Sequence, residues 1–153
     1  FQRGVVLKQV ETALGESGIP PSKLELELTE SVLMHDGELV TGALRQLKAL
    51  GVKLSIDDFG TGYSSFAYLR RFKCDKIKID QSFVHDLIDD PDNAAIVRGI
   101  ISLAQSLGLD VLAEGVENVA VAQRLKHLRC TYAQGHYFSR PLRPELFLER
   151  VNA

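Results

Sequence analysis

The sequence predicts an α/β fold with a mainly parallel sheet, of barrel type rather than open and doubly wound. Three observations carry this. Strand-like and helix-like patterns alternate along the chain. The strand patterns alternate apolar with polar residues, whereas strands covered on both faces read as continuously apolar. Acidic residues recur at or near the C-terminal ends of the strands, the end at which a barrel carries its active site.

The elements follow in order. Val6, Val10 and Leu14 fall at helical spacing over 4–18, and Gly18 ends that run. Pro20-Pro21 is a break. Leu24–Thr29 alternates strictly, with Leu24, Leu26 and Leu28 on one face and Glu25, Glu27 and Thr29 on the other. Asp36 caps a helix whose apolar face is Leu39, Ala43, Leu47 and Leu50, and Gly51 stops it. Val52–Asp57 is the second strand, with Leu54 and Ile56 opposite Ser55 and Asp57. Ser64–Arg71 reads as a short helix. Asp75–Asp80 is the third strand, with Ile77 and Ile79 opposite Lys78 and Asp80. Asp90-Pro91 is a cap with proline at the first helical position, opening a helix to Leu107 with Gly108 beyond it. Asp110–Glu114 is the fourth strand, Glu117–Leu128 a helix, and Thr131–Gln134 a short fifth strand. Pro144 opens a last helix containing Leu146, Phe147 and Val151.

Composition narrows the function classes. The 153 residues carry 18 Lys+Arg against 20 Asp+Glu, a formal net charge of −2, with 45% hydrophobic residues. That is the composition of one globular domain and not of a disordered or collagenous chain. A near-neutral chain lacks the basic surface that binding a nucleic-acid polymer needs. No apolar run approaches the roughly 20 residues of a membrane helix, and Phe1-Gln-Arg-Gly does not read as a signal peptide. Cys74 and Cys130 have neither CxxC spacing nor a metal-type histidine nearby, so they read as two buried free thiols in a reducing cytoplasm. His35, His85, His127 and His136 show no metal spacing and read as surface or loop residues.

The chemistry converges on four acids. Glu27, Asp57, Asp58 and Glu114 come from three of the strands and form a candidate hard-cation site. Oxygen donors without histidine or cysteine suit Mg²⁺ or Mn²⁺. Adjacent carboxylates repel unless a cation or a proton neutralises them. A carboxylate bridging two such ions holds them roughly 4 Å apart, the geometry of in-line phosphoryl displacement. Lys78 is suited to orient an attacking water or to hold a phosphate oxygen, and a carboxylate near the ions to act as general base. Any one of these acids alone reads as a helix cap or a solvated loop residue, and Lys78 alone as a salt-bridge partner. Their convergence sets the cation reading above those. Asp58-Phe59-Gly60 matches the kinase DFG triplet, but no HRD-type loop or GxGxxG accompanies it. Gly60-Thr61-Gly62 lacks the GK[ST] of a P-loop and reads as a turn. Asp89–Asn93 lacks the glycine and terminal glutamate of an EF-hand.

Five stretches then stand in order: Glu27-Leu-Thr-Glu30-Ser31, Asp57-Asp-Phe-Gly-Thr-Gly-Tyr-Ser-Ser65, Lys78-Ile-Asp80-Gln-Ser-Phe83, Ala113-Glu-Gly-Val-Glu117, and Gln134-Gly135 followed by Ser139-Arg-Pro141. The series resembles the EAL family of cyclic di-GMP phosphodiesterases over nearly the whole chain. The resemblance implies a TIM-like (β/α)₈ barrel that hydrolyses one phosphodiester of cyclic di-GMP to the linear dinucleotide with Mg²⁺ or Mn²⁺. By motif position it implies Glu27 and Asp57 as metal ligands, and Asp58 in contact with a second metal directly or through water. Lys78 would hold the catalytic water. Glu114 would be the general base or a metal-site carboxylate. Glu117 and Gln134 would support the site or the substrate, and Asp80 the lysine. Glu30 would anchor the 57–65 loop, which in the family couples the site to dimerisation. The resemblance further implies a bacterial cytoplasmic domain, homodimeric, with sensor or GGDEF-type domains attached in the parent protein.

Some family features have no counterpart here. The namesake Glu-Ala-Leu segment and the Asn ligand of the following strand are absent from these residues. A (β/α)₈ barrel takes about 250 residues, against 153 here. The expectation is an incomplete barrel of about five strands, the C-terminal part of the domain, with weak metal binding and little turnover alone. An exchanged strand or a dimer would cover the open edge. His136 stands where the family usually has Tyr, Val121 where Gln is common, and Arg129 where Gly is frequent. The competing reading is a catalytically inactive cyclic di-GMP sensor or protein-interaction module. A receiver-like signalling domain ranks far lower, because its acidic pair follows the first strand and its lysine the last.

Overall fold

The computed structural model describes residues 5–29, 32, 37–62, 69 and 72–152. Helix α1 spans Val5–Ser17, and a 3-10 turn, Pro21–Lys23, leads into strand β1, Glu25–Thr29. Helix α2 (Gly37–Ala49) and β2 (Lys53–Phe59) follow, then β3 (Lys76–Ile79), α3 (Gln81–His85), α4 (Pro91–Leu107) and β4 (Asp110–Ala113). The chain continues through α5 (Val119–His127), β5 (Tyr132–Ala133) and α6 (Pro144–Val151). The expected Asp36 cap lies outside the described residues, as does the expected 64–71 helix apart from buried Leu69.

All five strands are parallel, and their spatial order is their chain order, β1-β2-β3-β4-β5. A doubly wound sheet reverses its order at a switch point. This sheet does not, so it curves one way, as a partial TIM-like barrel. Asp75 braces the second turn of the barrel. Its carboxylate accepts from Leu54 N at 2.8 Å and holds Lys48 Nζ of α2 at 2.7 Å.

The two faces of the sheet divide as the alternation requires. Leu54, Ile56, Ile77, Ile79, Val111 and Ala113 are buried on the outer face, in one core with Leu44 and Leu47 of α2, Val97 and Ile101 of α4, and Val121 and Leu125 of α5. Each aliphatic side chain buried this way stabilises the fold by about 1.5–3 kcal/mol. The inner face carries Glu25, Glu27, Ser55, Asp57, Lys76 and Lys78, and no helix covers it among the described residues.

Helix ends follow local chemistry. Asp90 caps α4 through Asp92 N at 2.8 Å, and Gly108, at φ 70°, closes its C-terminus. Asn118 caps α5 through Val121 N at 3.0 Å, so this helix starts two residues later than its sequence pattern. Helix α3 is an addition to the sequence reading, since five residues are too few to show a helical period. Helix α6 forms where expected but buries none of its residues. Cys74 is buried and Cys130 only half-buried, and both are free thiols. The expectation of two buried thiols is corrected for Cys130, whose Sγ donates to Tyr132 O at the sheet's edge. His85, His127 and His136 are exposed.

Candidate active site

The site lies at the C-terminal ends of β1 to β4, on the inner face. Lys78 stands at its centre. It is 5% exposed, and its Nζ lies 2.9 Å from Glu27 Oε2, 2.9 Å from Asp57 Oδ1 and 3.0 Å from Glu114 Oε1. One side chain on β3 thus gathers acids from β1, β2 and the end of β4. Burial works against the ammonium, but its close contacts with the carboxylates of Asp57, Glu27 and Glu114 outweigh it and raise the pKa of Lys78. The lysine is a fixed cation.

Asp57 and Asp58 are neighbours, and a regular strand would point them to opposite faces. A bulge resolves this. The β2–β3 register shifts between Ile56 and Phe59, and Asp58 adopts φ 52°. Aspartate tolerates the left-handed region better than most residues. The turn beyond it is closed by Thr61, whose hydroxyl donates to Asp58 O at 2.9 Å. Carboxylate oxygens of Asp57, Asp58 and Glu114 thereby come within 4.8 Å of one another. Partial desolvation, then the facing charges of Asp57 and Asp80, push the Asp58 carboxyl up, against the pull of Lys78.

This donor set fits a hard divalent cation. It consists of carboxylate oxygens alone. Asp57 Oδ1 is buried and accepts no well-formed hydrogen bond, so beyond its ionic contact with Lys78 it retains acceptor capacity. One ammonium faces four carboxylates, an excess of negative charge that a cation neutralises.

The surrounding residues divide. Gln134 Nε2 donates to Glu114 Oε1 at 3.2 Å, so it orients that carboxylate. Asp80 caps α3, accepting from Ser82 N at 2.9 Å and from the Ser82 hydroxyl. Its carboxylate faces that of Asp58, and the hydroxyl of Ser82 foremost holds its carboxyl low. Among the described residues no ion pair joins it to Lys78, the side chain it was expected to support. Glu117 is mostly exposed, with Oε2 3.9 Å from His85 Nδ1, away from the lysine. Glu27 meets the cluster through Lys78 and is not in the group of three acids. Glu30 lies outside the described residues.

The loops after β4 and β5 lock together. Val116 N donates to Gln134 O at 3.0 Å, and Tyr137 N to Val116 O at 3.0 Å. Gly135 has φ 155°, and a Cβ there would stand 2.2 Å from Val116 O. Only glycine lets the two backbones approach this closely. The loops border a cleft of about 780 Å³, into which Asp58, Asp80, Glu114, Gln134 and His136 face. The sequence reading missed a second inner-face pair, Glu25 with Lys76. Their spacing from Glu27 and Lys78, two residues along each strand, was the available signal.

The fold and the site together define a TIM-like β/α protein with a lysine-centred acidic site at the strand C-termini. The profile of the EAL domain family matches residues 1–141, and the chain belongs to that family. It is 43% identical over 151 residues to the bifunctional diguanylate cyclase/cyclic di-GMP phosphodiesterase MucR of Pseudomonas aeruginosa. That match covers 99% of this chain and 22% of MucR, so the chain spans about a fifth of that relative's length. A solved PaMucR phosphodiesterase in complex with c-di-GMP superposes with a TM-score of 0.91 at 42% identity, over 95% of this chain and 59% of that one. The Klebsiella pneumoniae BlrP1 manganese/cy-diGMP complex superposes with a TM-score of 0.84 at 34% identity, over 92% of this chain and 36% of that one. Among the described residues no helix is long and apolar enough to cross a membrane.

Proposed function

We propose that the protein carrying these residues hydrolyses one phosphodiester bond of cyclic di-GMP to the linear dinucleotide, with Mg²⁺ or Mn²⁺. The observation that carries this reading is the contact of Lys78 with Glu27, Asp57 and Glu114, in a member of the EAL family. The relative solved with the cyclic dinucleotide and the one solved with manganese support the substrate and the metal.

Asp57 and Asp58, with Glu27 beside them, would hold the cations, and Glu114 stands within reach of the same group of oxygens. When bound, the cations neutralise charge at the phosphoryl group and lower the pKa of water. Lys78, fixed by three carboxylates, holds the attacking water or a phosphate oxygen. The water oxygen bonds to phosphorus, one P–O ester bond breaks, and the departing oxygen takes a proton from solvent. Glu114, oriented by Gln134, accepts the water's proton. Asp80 adds negative charge beside Asp58, which a bound cation would offset, and Glu117 lines the cleft for substrate.

The 153 residues alone turn over little on this reading. β1 and β5 each have one unpaired edge among the described strands, and the Glu27 side chain is 50% exposed. MucR, matched over 22% of its length, supports attachment to further signalling domains.

The test is incubation of the full-length protein with cyclic di-GMP and Mg²⁺ or Mn²⁺, with the nucleotides separated by chromatography. Linear dinucleotide is expected, falling about 1000-fold with Glu114→Ala or Lys78→Met, in the range typical of lost acid–base and electrostatic groups. Intact nucleotide at protein concentrations that bind it would replace the catalytic reading with a sensor.

A further inference from the structure

Beneath the Lys78 layer lies a second charged layer on the same inner face. Lys76 Nζ sits 2.9 and 2.7 Å from the two oxygens of Glu25, a two-pronged ion pair. It joins β3 to β1 across β2, where Ser55, paired in register with Lys76, stands between them. Ser55 is uncharged and its buried hydroxyl has no hydrogen-bond partner, while the β2 charge in register with Glu25 is the exposed Lys53. From the far side, the Tyr132 ring of β5 faces Lys76 Nζ at 5.3 Å, within the range of cation–π attraction. The two layers repeat each other two residues apart, Glu25 and Lys76 below, Glu27 and Lys78 above.

Their charges differ. The lower layer is balanced: Lys76 is ion-paired with Glu25, Asp110 of β4 stands in register with Lys76, and exposed Lys53 of β2 stands in register with Glu25. The upper layer sets one ammonium against Glu27, Asp57, Asp58 and Glu114. Residues two apart on a strand are separated by roughly 7 Å, and a lysine stem is long enough to cross that distance. Released from Glu25, Lys76 has the single carboxylate of Asp110 beside it and four acids within reach above, and the larger negative charge above draws it there as a second internal counter-cation.

We propose that Glu25, with the Tyr132 ring, is a positioning residue that holds Lys76 out of the upper layer and so keeps its acids available to a divalent cation. This rests on the cation reading of the upper layer. Glu25 acts through Lys76 and touches neither substrate nor metal.

The test titrates the full-length protein with Mn²⁺ alone and follows the free ion by electron paramagnetic resonance. Glu25→Gln should raise the dissociation constant about tenfold, because Lys76 then competes for the acids. Lys76→Met should bind Mn²⁺ at least as tightly as wild type. The double variant Glu25→Gln/Lys76→Met should recover wild-type affinity, which a merely structural role for the ion pair would not allow. Unchanged affinity in Glu25→Gln overturns the proposal and leaves the cation site standing. Failure of the double variant to recover also overturns it, because the loss then belongs to the sheet. No Mn²⁺ uptake by the wild-type protein overturns both readings.

Discussion

Asp58 shows what a single residue contributes here. Its left-handed backbone turns the end of β2 so that two consecutive acids serve one site. Sequence spacing shows the pair and says nothing of the bulge, because alternation alone sends Asp58 to the opposite face. The place of Lys78 was more legible, since its position between Ile77 and Ile79 already puts it on the polar face. The cysteines carry a prediction at this scale. Burial pushes both thiols up to about 11 from an ordinary 9.0. Above pH 9 the unfolded chain releases protons that the folded chain retains, so this contribution to stability is intact below about pH 9 and lost as pH rises through 11. Urea midpoints measured from pH 8 to 11 should fall, and fall less steeply in Cys74→Ala/Cys130→Ala.

At the scale of elements, caps and close approaches set the site. Asp90 accepts from Asp92 N and Asn93 N at the start of α4, the longest helix behind the sheet. Asp90→Ala should lower unfolding free energy by about 1 kcal/mol, measured by urea denaturation, without changing nucleotide binding. Gly135 is different in kind. Gly135→Ala forces a Cβ into the Val116 backbone and should cost about 3 kcal/mol of stability. It also shifts Gln134 off Glu114, so turnover should fall even at temperatures where the variant stays folded. Equal turnover in the folded variant would show that the two loops do not position that carboxylate. The Asp90-Pro91 start was legible as a local signal. The Gly135–Val116 contact was not, because it joins residues that are distant in the sequence.

The whole molecule is a curved sheet with a buried outer face and a charged inner one. Among the described residues its inner face is uncovered, and α6 presents Leu146, Phe147, Leu148 and Val151 at 50–64% exposure. The 153-residue chain should therefore bind an apolar dye such as anilinonaphthalene sulfonate strongly in its folded state. Phe147→Ser/Leu148→Ser should reduce the fluorescence while leaving the thermal transition in place, since neither side chain is buried.

By itself the sequence determined the class of fold, the succession of its strands and helices, and the face each strand turns inward. Those follow from period-two alternation, local caps and motif order, which are short-range properties of a chain. Tertiary structure alone decided that Asp58 turns to the face of Asp57, that Asp80 stands beside Asp58, that Gln134 reaches Glu114, and that Glu25 pairs with Lys76. Each of these depends on a register between strands or an approach between loops. Such contacts are set by packing across the whole sheet, so no local pattern encodes them.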